Sequence, residues 1–304
     1  MYSRHFGLRE HPFSLTPNTK FIYQHNSYSI ALNTLLIALH SGEGFIKITG
    51  EIGTGKTLLC RMLINTLRGR YLVAYIPNPY LEPLTLLTAI ADEFGIDYPE
   101  NVHQHQLLKK LNKFIIDTYA QRRHTIVLCF DEAHAMPIET LDVLRMLSNL
   151  ETQQRKLIQI VLFGQPELDK RLDQPLIRQL KQRIGFSYEL KPLHKVELDS
   201  YVMHRLQIAG YQGPSPFTTP ALGLLYRASG GTQRLVNILA HKSLMSAYGK
   251  GDTRITRMHM KRAIADTECA IHKERPPRYR FLIIASVITT SLLLLATGSA
   301  LIGG

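Results

Sequence analysis

The sequence Gly50-Glu51-Ile52-Gly53-Thr54-Gly55-Lys56-Thr57 (GEIGTGKT) fits the pattern of glycine, any four residues, glycine, lysine, and serine or threonine. A short β-prone stretch, FIKIT at 45–49, precedes it, and apolar residues at helical spacing follow from Leu58 to Leu67. A strand, a glycine-rich turn and a helix in this order bring consecutive backbone N–H groups to a helix N-terminus, where they can bind phosphate oxygens. The stretch from Gly50 to Leu58 therefore predicts a phosphate-binding loop in an α/β fold.

Two side chains of this loop have separate expected roles. Lys56 would reach the β- and γ-phosphates of a nucleotide, and the Thr57 hydroxyl would bind Mg²⁺. The guanine-reading sequence Asn-Lys-x-Asp does not occur, because Asn112-Lys113 is followed by Phe114-Ile115. ATP is therefore the better nucleotide.

A second motif follows an apolar run. Residues 125–130 (TIVLCF) have the pattern of a strand buried on both faces, and the run ends in Asp131 and Glu132. The carboxyl ends of strands are where α/β sheets bind ligands. Asp131 would hold Mg²⁺ through water, and Glu132 would orient or deprotonate the attacking water. With Ala133 and His134 these residues spell DEAH, a helicase motif, but too few residues follow to form the second domain such helicases need.

Further along, two polar side chains are candidates for the same site. Gln165 follows the apolar strand pattern of 157–163, so it would emerge beside Asp131 and could bind the attacking water or the γ-phosphate. Arg234 follows Thr232, a suitable N-cap, in the first turn of a predicted helix, and could reach the phosphates.

A basic stretch at 176–184 (LIRQLKQRI) precedes a strand-like segment. An arginine at the end of such a helix can reach the γ-phosphate bound by a neighbouring subunit. Arg183 is the first candidate for this role and Arg178 the second, and a solvated basic face is an equally good interpretation of the pattern.

The composition indicates a folded chain with an acidic partner. The 304 residues are 45% hydrophobic and 20% charged, which is ordinary for globular proteins. The formal charge of +12 favours either nucleic acid or an anionic membrane surface and does not choose between them. The three cysteines form no CxxC pair, which predicts a reducing compartment with neither a disulfide framework nor a zinc site.

The end of the sequence predicts a membrane anchor. Residues 281–304 carry no charge and are long enough to cross a hydrocarbon core of ~30 Å. The preceding stretch, 271–280, is rich in lysine and arginine, and the positive-inside rule places such a flank in the cytoplasm. We therefore expect a single-pass protein of the cytoplasmic (inner) membrane, with its N-terminal domain in the cytoplasm and anionic lipid beside the basic flank.

Strand-like patterns stop after Lys195, and helical patterns separated by glycine turns continue to residue 267. The expected organisation is an N-terminal segment packing on the nucleotide site (1–43), an α/β ATPase core (44–192), a helical lid (193–270), a basic juxtamembrane linker (271–280) and a transmembrane helix (281–304). The fold class is thus an α/β parallel-sheet core with a small all-α lid.

The sequence resembles AAA+ ATPases and, more narrowly, the ExeA-like family of general-secretion-pathway protein A. The resemblance covers Tyr2 to about Ala270 and is carried by FGLREHPFSLTPN, GEIGTGKT, LCFDEAH, IVLFGQPEL, QLKQRI and GGTQRLVNILAHKSL. Within the family it is greatest to members that serve biogenesis of the mannose-sensitive haemagglutinin type IV pilus.

The resemblance implies a P-loop ATPase that uses Mg²⁺, forms homo-oligomers such as rings, and works with inner-membrane or periplasmic proteins of pilus or secretion assembly. It implies these roles: Lys56 and Thr57 as the Walker A pair, Asp131 and Glu132 as the Walker B pair, Gln165 as sensor one, Arg183 as the arginine finger, and Arg234 as sensor two. Sensor one is usually Asn, Thr or Ser, so Gln165 departs from the pattern. ExeA-type members continue into a peptidoglycan-binding domain, so cell-wall binding is not expected of residues 1–304.

Two other functions compete with this one. A DNA-binding AAA+ regulator, similar to transposition ATPases, would use the positive charge to bind a phosphate backbone. The apolar C-terminal run makes nucleic acid the less favoured partner, because an anionic membrane already accounts for the basic residues. A scaffold that binds ATP and scarcely hydrolyses it is the third function, and Glu132 counts against it.

Overall fold

The computed structural model describes residues 2–122, 124–152 and 155–270. A parallel five-stranded sheet forms its centre, in the order β2-β3-β4-β1-β5. The strands are β1 Phe45–Thr49, β2 Tyr71–Ile76, β3 Thr125–Phe130, β4 Ile158–Gly164 and β5 Ile184–Glu189. Because all five strands are parallel, their carboxyl ends lie at one edge, and β1, β4 and β3 are neighbours there.

Helices cover both faces of the sheet. They are α1 Tyr2–His5, α2 Asn26–His40, α3 Lys56–Leu67, α4 Pro83–Glu93, α5 Gln104–Arg122, α6 Ile138–Leu147, α7 Glu167–Leu172, α8 Arg178–Lys181, α9 Leu198–Ile208, α10 Thr219–Ser229, α11 Gln233–Tyr248 and α12 Arg257–Ala265. Short 3₁₀ turns occupy Thr19–Phe21, Ala133–Ala135, Pro175–Ile177 and Lys195–Glu197. The helices α2 and α3 pack on one face, and α4, α5 and α6 pack on the other.

Strand β3 shows why its sequence is a continuous apolar run. Ile126, Leu128 and Phe130 pack with α4, α5 and α6, whereas Val127 and Cys129 pack with α2 and α3. Successive side chains of a strand point to opposite faces, so a strand with helices on both sides needs apolar residues at every position. This burial fixes β3 in the sheet and places its end beside the phosphate-binding loop.

A separate hydrophobic core lies in the helical part formed by α9 to α12. Besides those helices it contains aromatic and aliphatic residues from the start of the chain: Tyr2, Phe6, Leu8, Phe13 and Phe21. Helix α2, in contrast, packs with the sheet. The structure therefore divides residues 2–40, which the sequence analysis treats as one segment, between the two cores.

The parallel α/β fold predicted from the sequence is confirmed, with the helical region following the sheet. Several boundaries differ by a few residues. The sequence pattern predicts helices at 104–119 and 138–150, whereas the structure has them at Gln104–Arg122 and Ile138–Leu147. The predicted linker 271–280 and transmembrane helix 281–304 lie outside the described residues. Among the helices that the structure does describe, none combines the length and apolar character needed to span a bilayer.

Candidate functional site

The loop between β1 and α3 wraps around the first turn of α3. Gly53 and Gly55 have φ of 81° and 96°, a left-handed conformation that glycine adopts without steric cost. The backbone N–H of Gly50 donates to the carbonyl of Gly164 at the end of β4, which ties the loop to the neighbouring strand. The N-terminus of α3 therefore faces the carboxyl edge of the sheet with its free N–H groups available to an anion.

Lys56 is held inside this loop. Its side chain is 5% exposed, and Nζ donates to the carbonyls of Gly50 at 2.7 Å and Glu51 at 2.9 Å. Burial lowers the pKa of Lys56, while the nearby carboxylates of Glu132 and Asp131 oppose that effect. The ammonium group is thus desolvated and fixed near the ends of both β1 and β3.

Asp131 lies behind Thr57 at the end of β3. It is 2% exposed, it hydrogen-bonds the Thr57 side chain, and it accepts the backbone N–H of Glu132 at 3.0 Å. Burial raises the pKa of Asp131, and these hydrogen bonds partly offset the increase. A buried carboxylate paired with a hydroxyl on the phosphate loop is a suitable oxygen ligand set for Mg²⁺ and its waters.

Glu132 has an unusual backbone. Its φ is 51°, the only positive φ of a non-glycine residue in the described part of the chain. Non-glycine residues in this region are strained, and such strain concentrates at functional sites. The turn that follows is closed by the Ala135 N–H donating to the Glu132 carbonyl at 2.9 Å, so the side chain of Glu132 is set at the sheet edge, on the wall of a cavity.

Gln165 follows β4 directly and lines the same cavity as Glu132. Its amide Nε2 lies 3.4 Å from Glu132 Oε2 and 2.8 Å from Nε2 of His134. From the sequence, Gln165 is expected to face water or phosphate, whereas the structure places its amide against the side chains of Glu132 and His134. The sequence carries no signal of the partnership with His134, although the DEAH spelling includes that residue.

The helical region forms the wall of the cavity that faces the phosphate loop. The first turn of α11 contacts the phosphate loop, since the backbone N–H of Arg234 donates to the Gly53 carbonyl at 3.1 Å. A Cβ at Gly53 would lie 2.5 Å from Cβ of Arg234, and one at Gly55 would lie 3.0 Å from Oε1 of Gln233. Only a loop of glycines permits this approach, so the Arg234 side chain lies on the cavity wall.

The resulting cavity has a volume of about 370 Å³. Three parts of the chain line it: the N-terminal residues Ser14, Leu15, Thr16, Pro17 and Asn18; the phosphate loop with Glu132 and Gln165; and the helical residues Tyr201, Arg205, Gln233, Arg234 and Asn237. Ile52 also contributes and is 59% exposed, while Thr54 is fully buried, its hydroxyl donating to the Glu51 carbonyl at 2.8 Å. The lining thus combines the phosphate loop and Arg234 with residues of the N-terminal segment, and these suit a phosphate-bearing ligand.

Arg205 is a site residue that no sequence motif indicates. Its buried guanidinium donates to the carbonyls of Pro12 at 2.6 Å and Ser14 at 3.3 Å, and to the Tyr201 hydroxyl at 3.1 Å. It also stacks over Phe21, with Cζ 5.0 Å from the ring centroid. These contacts fix the N-terminal segment against the cavity. No local pattern could have indicated the contacts with Pro12 and Ser14, because these partners lie about 190 residues from Arg205 in sequence.

Arg183 and Arg178 are absent from the described lining of this cavity. Arg183 instead donates to Ser148 Oγ at 2.8 Å and to the Arg145 carbonyl at 3.2 Å, at the end of α6. This holds Arg183 on the folded core and away from the chain's own phosphate loop. Its expected role toward a neighbouring subunit stays a prediction.

The residues at the sheet edge fit a nucleotide with Mg²⁺. The phosphate loop offers backbone donors and Lys56, and Thr57 with Asp131 offers oxygen ligands. Across the described residues, no group of three His, Cys, Asp or Glu side chains could hold a metal ion by itself. In a nucleotide complex, phosphate oxygens and water would supply further Mg²⁺ ligands.

Comparison with known folds agrees with this geometry. Residues 39–172 match the family model of an AAA domain. Among solved structures, Cdc6p from Pyrobaculum aerophilum matches with a TM-score of 0.64 at 18% identity, over 80% of this chain and 67% of that one. A structure of Drosophila ORC bound to DNA matches with a TM-score of 0.63 at 20% identity, over 84% and 64% of the two chains. Aeropyrum pernix ORC2, solved in ADPNP-ADP complexes, gives 0.58 at 18% identity, over 83% and 72%. The fold and the site define a P-loop protein of the AAA+ class.

The comparison of sequences defines the family more narrowly than the comparison of folds. The chain is 42% identical over 255 residues, 84% of its length, to general secretion pathway protein A of Aeromonas hydrophila. It is thus an AAA+ protein related to general secretion pathway protein A, as the resemblance in sequence predicts. The chain spans about half the length of this curated relative, 46%.

Proposed function

We propose that this chain is a membrane-anchored ATPase, facing the cytoplasm, that binds and hydrolyses ATP to support assembly of a type IV pilus or a type II secretion-like envelope machine. The observation that carries hydrolysis is the meeting of Lys56, Asp131 and Glu132 at one sheet edge, under a helical lid. A binding site alone would not need a carboxylate in the position of Glu132.

Each residue would contribute a separate part of phosphoryl transfer. Lys56 and the loop N–H groups would bind the phosphates, and Thr57 and Asp131 would hold Mg²⁺, which neutralises charge on the phosphate oxygens. Glu132 would orient or deprotonate the attacking water, and Arg234 would contact the phosphates from the lid. The ATP would be held in place by residues from the core, the lid and the N-terminal segment together.

Assembly of an envelope machine is inferred from the relationship to general secretion pathway protein A, which the chain matches over about half of that protein. The narrower proposal, a pilus such as the mannose-sensitive haemagglutinin type IV pilus, rests on the sequence resemblance alone. The inference uses only the part of general secretion pathway protein A that matches this chain.

The decisive test is ATP hydrolysis by the purified full chain in detergent, with Lys56→Ala beside it. We expect Lys56→Ala to abolish hydrolysis without unfolding the protein, because it removes the buried cation at the phosphates. The matched control is Lys109→Ala, since Lys109 is exposed and lies on α5, away from the cavity lining. Equal hydrolysis by the Lys56 and Lys109 variants would refute the ATPase mechanism, and a thermal unfolding curve would show that both variants fold.

Membrane anchoring needs a separate experiment. Deleting residues 281–304 is expected to release the protein from the membrane fraction into the soluble fraction, because it removes the uncharged run of apolar residues. Cell fractionation followed by immunoblotting measures this. Persistent membrane association of the deletion variant would show that another part of the chain, or a partner protein, is the anchor.

DNA binding is the second candidate, favoured by the formal charge of +12. It predicts a mobility shift of duplex DNA that persists at physiological ionic strength and falls steeply as salt is raised. The membrane-anchored ATPase predicts no shift under those conditions. Measuring the shift with the full chain separates the two functions.

A further inference from the structure

The outward face of helix α12 is basic. Residues 253–265 (TRITRMHMKRAIA) contain four arginine or lysine residues and neither aspartate nor glutamate. The exposed positions of the helix are Arg257, Met258, Lys261, Arg262 and Ala265. At about 100° per residue these positions fall within one side of the helix, so their side chains share a surface. We call Arg257, Met258, Lys261 and Arg262 the α12 basic face.

The charges of this face do not stabilise the fold. Within the part of the chain that the structure describes, Arg257, Lys261 and Arg262 have no ion-pair partner, whereas Lys242 on the adjacent α11 pairs with Asp266 at 2.8 Å. Arg257 also lies in the first turn of α12, where the positive end of the helix dipole disfavours a cation. The side chains of the α12 basic face are therefore available to an anionic surface outside the molecule.

The last described residues return to α12 and fix its position relative to the predicted membrane anchor. The Thr267 hydroxyl donates to the Ala263 carbonyl at 2.7 Å, and the backbone N–H of Ala270 donates to the Thr267 carbonyl at 3.1 Å. Ala270 is buried in the core of the helical region. The predicted transmembrane helix begins at residue 281, outside the described residues, and the ten residues between them can span at most ~40 Å. Anchoring would thus keep the α12 basic face near the bilayer.

Anionic lipid headgroups complement this face better than any other occupant does. Lysine and arginine residues close to an anionic bilayer are attracted to it, and the attraction acts over a screening length of about 8 Å at physiological salt. Met258 is 52% exposed between the cations, and an apolar side chain among basic ones suits the headgroup region of a bilayer. A tethered surface binds at high effective concentration, so a few cations are enough. Nucleic acid would be attracted by the same charges but would lack such a tether.

We propose that the α12 basic face docks on anionic lipid headgroups of the membrane that anchors the chain. The inference rests on the proposed membrane anchoring and is independent of ATP hydrolysis. Helix α12 packs on α11, and the first turn of α11 contacts the phosphate loop through Arg234 and Gly53. Docking would therefore set the orientation of the nucleotide cavity relative to the bilayer.

The test places a fluorescent reporter on the face in the full chain, reconstituted in vesicles. The reporter is attached to a Met258→Cys variant that also carries Cys269→Ser; Cys60 and Cys129 are buried, so the label goes to position 258. The vesicles are phosphatidylcholine alone or an equal mixture with anionic phosphatidylglycerol, and both contain a lipid with a spin-labelled headgroup that quenches nearby fluorophores. A matched reporter uses Ile116→Cys, because Ile116 is 48% exposed and lies on α5, which packs on the sheet.

We expect strong quenching at position 258 only in the vesicles with phosphatidylglycerol, and little quenching at position 116 in either. Arg257→Glu with Lys261→Glu should lower the ratio of docked to undocked protein at least about 25-fold, from about five-fold for each cation lost. Lys109→Glu with Lys113→Glu is the matched control, since it makes the same charge change at the same spacing on exposed positions of α5. This control should leave the ratio unchanged.

Several results would overturn the docking. They are equal quenching at positions 258 and 116, equal quenching in the two lipid mixtures, and quenching that survives Arg257→Glu with Lys261→Glu. A shift of duplex DNA that this double variant abolishes, without quenching at position 258, would assign the face to nucleic acid instead. If thermal unfolding shows that the double variant does not fold, raising salt to ~1 M on the unaltered face replaces it, because screening should then abolish the quenching.

Failure of the membrane anchoring itself gives a different result. Vesicle flotation at ~1 M salt retains a protein with an inserted helix and removes one held only by charge. A full chain that does not float under these conditions would refute the proposed anchoring. A full chain that floats, with no quenching at position 258 at physiological salt, would refute only the docking of α12.

Discussion

At the scale of single residues, Asp131 is expected to be needed for Mg²⁺ binding although its buried charge lowers the free energy of unfolding. It is almost completely buried, and burial raises its pKa. A carboxyl group with a raised pKa in the folded state holds its proton more tightly there than in the unfolded chain. The free energy of unfolding therefore falls as pH rises from the unfolded pKa through the folded pKa, and above the folded pKa the ionised group destabilises the fold by its full amount.

Asp131→Asn should therefore make the protein more stable and inactive. The amide keeps the shape and an oxygen that can accept from Thr57 and Glu132, while the buried charge is removed. We expect a gain of about 1 kcal/mol in the free energy of unfolding at pH 8, shrinking as pH is lowered, together with loss of Mg²⁺-dependent hydrolysis.

Thermal unfolding at several pH values measures this effect, and Asp97→Asn is the control because Asp97 is exposed. A variant at position 131 that is less stable than wild type at pH 8 would contradict the destabilising effect of the charge.

The residues with a spacing signature could be predicted from sequence. Lys56 and Thr57 belong to a loop whose length is set by the turn around a phosphate, and Asp131 and Glu132 end an apolar strand. Arg205 and His134 could not be predicted in the same way. Their places at the site depend on contacts with Pro12 and Gln165, which only the folded chain brings near.

At the scale of elements, the important contact is between the phosphate loop and the first turn of α11. The Arg234 N–H donates to the Gly53 carbonyl, and no side chain at position 53 would fit beneath it. The loop thus connects the sheet with the helical region through backbone atoms, at the point where the phosphates are expected to bind.

Gly53→Ala should separate these two elements. The new methyl group would lie 2.5 Å from Cβ of Arg234, and the residue would also be strained at φ 81°. Gly251→Ala is a matched control, since Gly251 has φ 77° and its added methyl group would meet no heavy atom within 4 Å.

We expect Gly251→Ala to report the backbone strain alone, about 1–2 kcal/mol, and Gly53→Ala to lose more stability and at least 10-fold in nucleotide affinity. Calorimetric titration and thermal unfolding give both quantities. Equal affinities for the two variants would mean that the contact of α11 with the loop is not needed for binding.

The elements themselves were largely predictable, for a physical reason. Strand β3 is apolar at every position because helices cover both sides, and the helices have the 3.6-residue period of a buried stripe. The residues at which the helices end were less predictable. Helix α6 ends at Leu147, before the predicted end at Leu150, and the carbonyl of Arg145 and the hydroxyl of the C-cap Ser148 accept hydrogen bonds from Arg183, in a distant part of the chain.

At the scale of the whole molecule, the position of Arg183 bears on how active sites are completed. Its contacts with the end of α6 place it on the folded core and away from the cavity lining. If it completes the site of a neighbouring subunit, hydrolysis per subunit should increase with protein concentration and reach a plateau as oligomers form.

Arg183→Ala should remove this increase, and mixing it with Glu132→Gln should restore part of the activity, because each subunit supplies what the other lacks. Arg178→Ala serves as the comparison for general loss of positive charge. Specific activity that stays flat over the whole concentration range, or mixtures without any recovery, would indicate self-sufficient subunits.

The second hydrophobic core has a consequence for the order in which the protein acquires its structure. Tyr2, Phe6 and Phe13 pack with Leu198, Leu239 and other residues of α9 to α12, all of which are synthesised much later than these aromatic residues. The last strand of the sheet is complete at Glu189, so the sheet can fold while these aromatic side chains still have no partners. Closing so long a loop is slow compared with forming local contacts. Tyr2, Phe6 and Phe13 are therefore among the last of the described residues to reach their native positions.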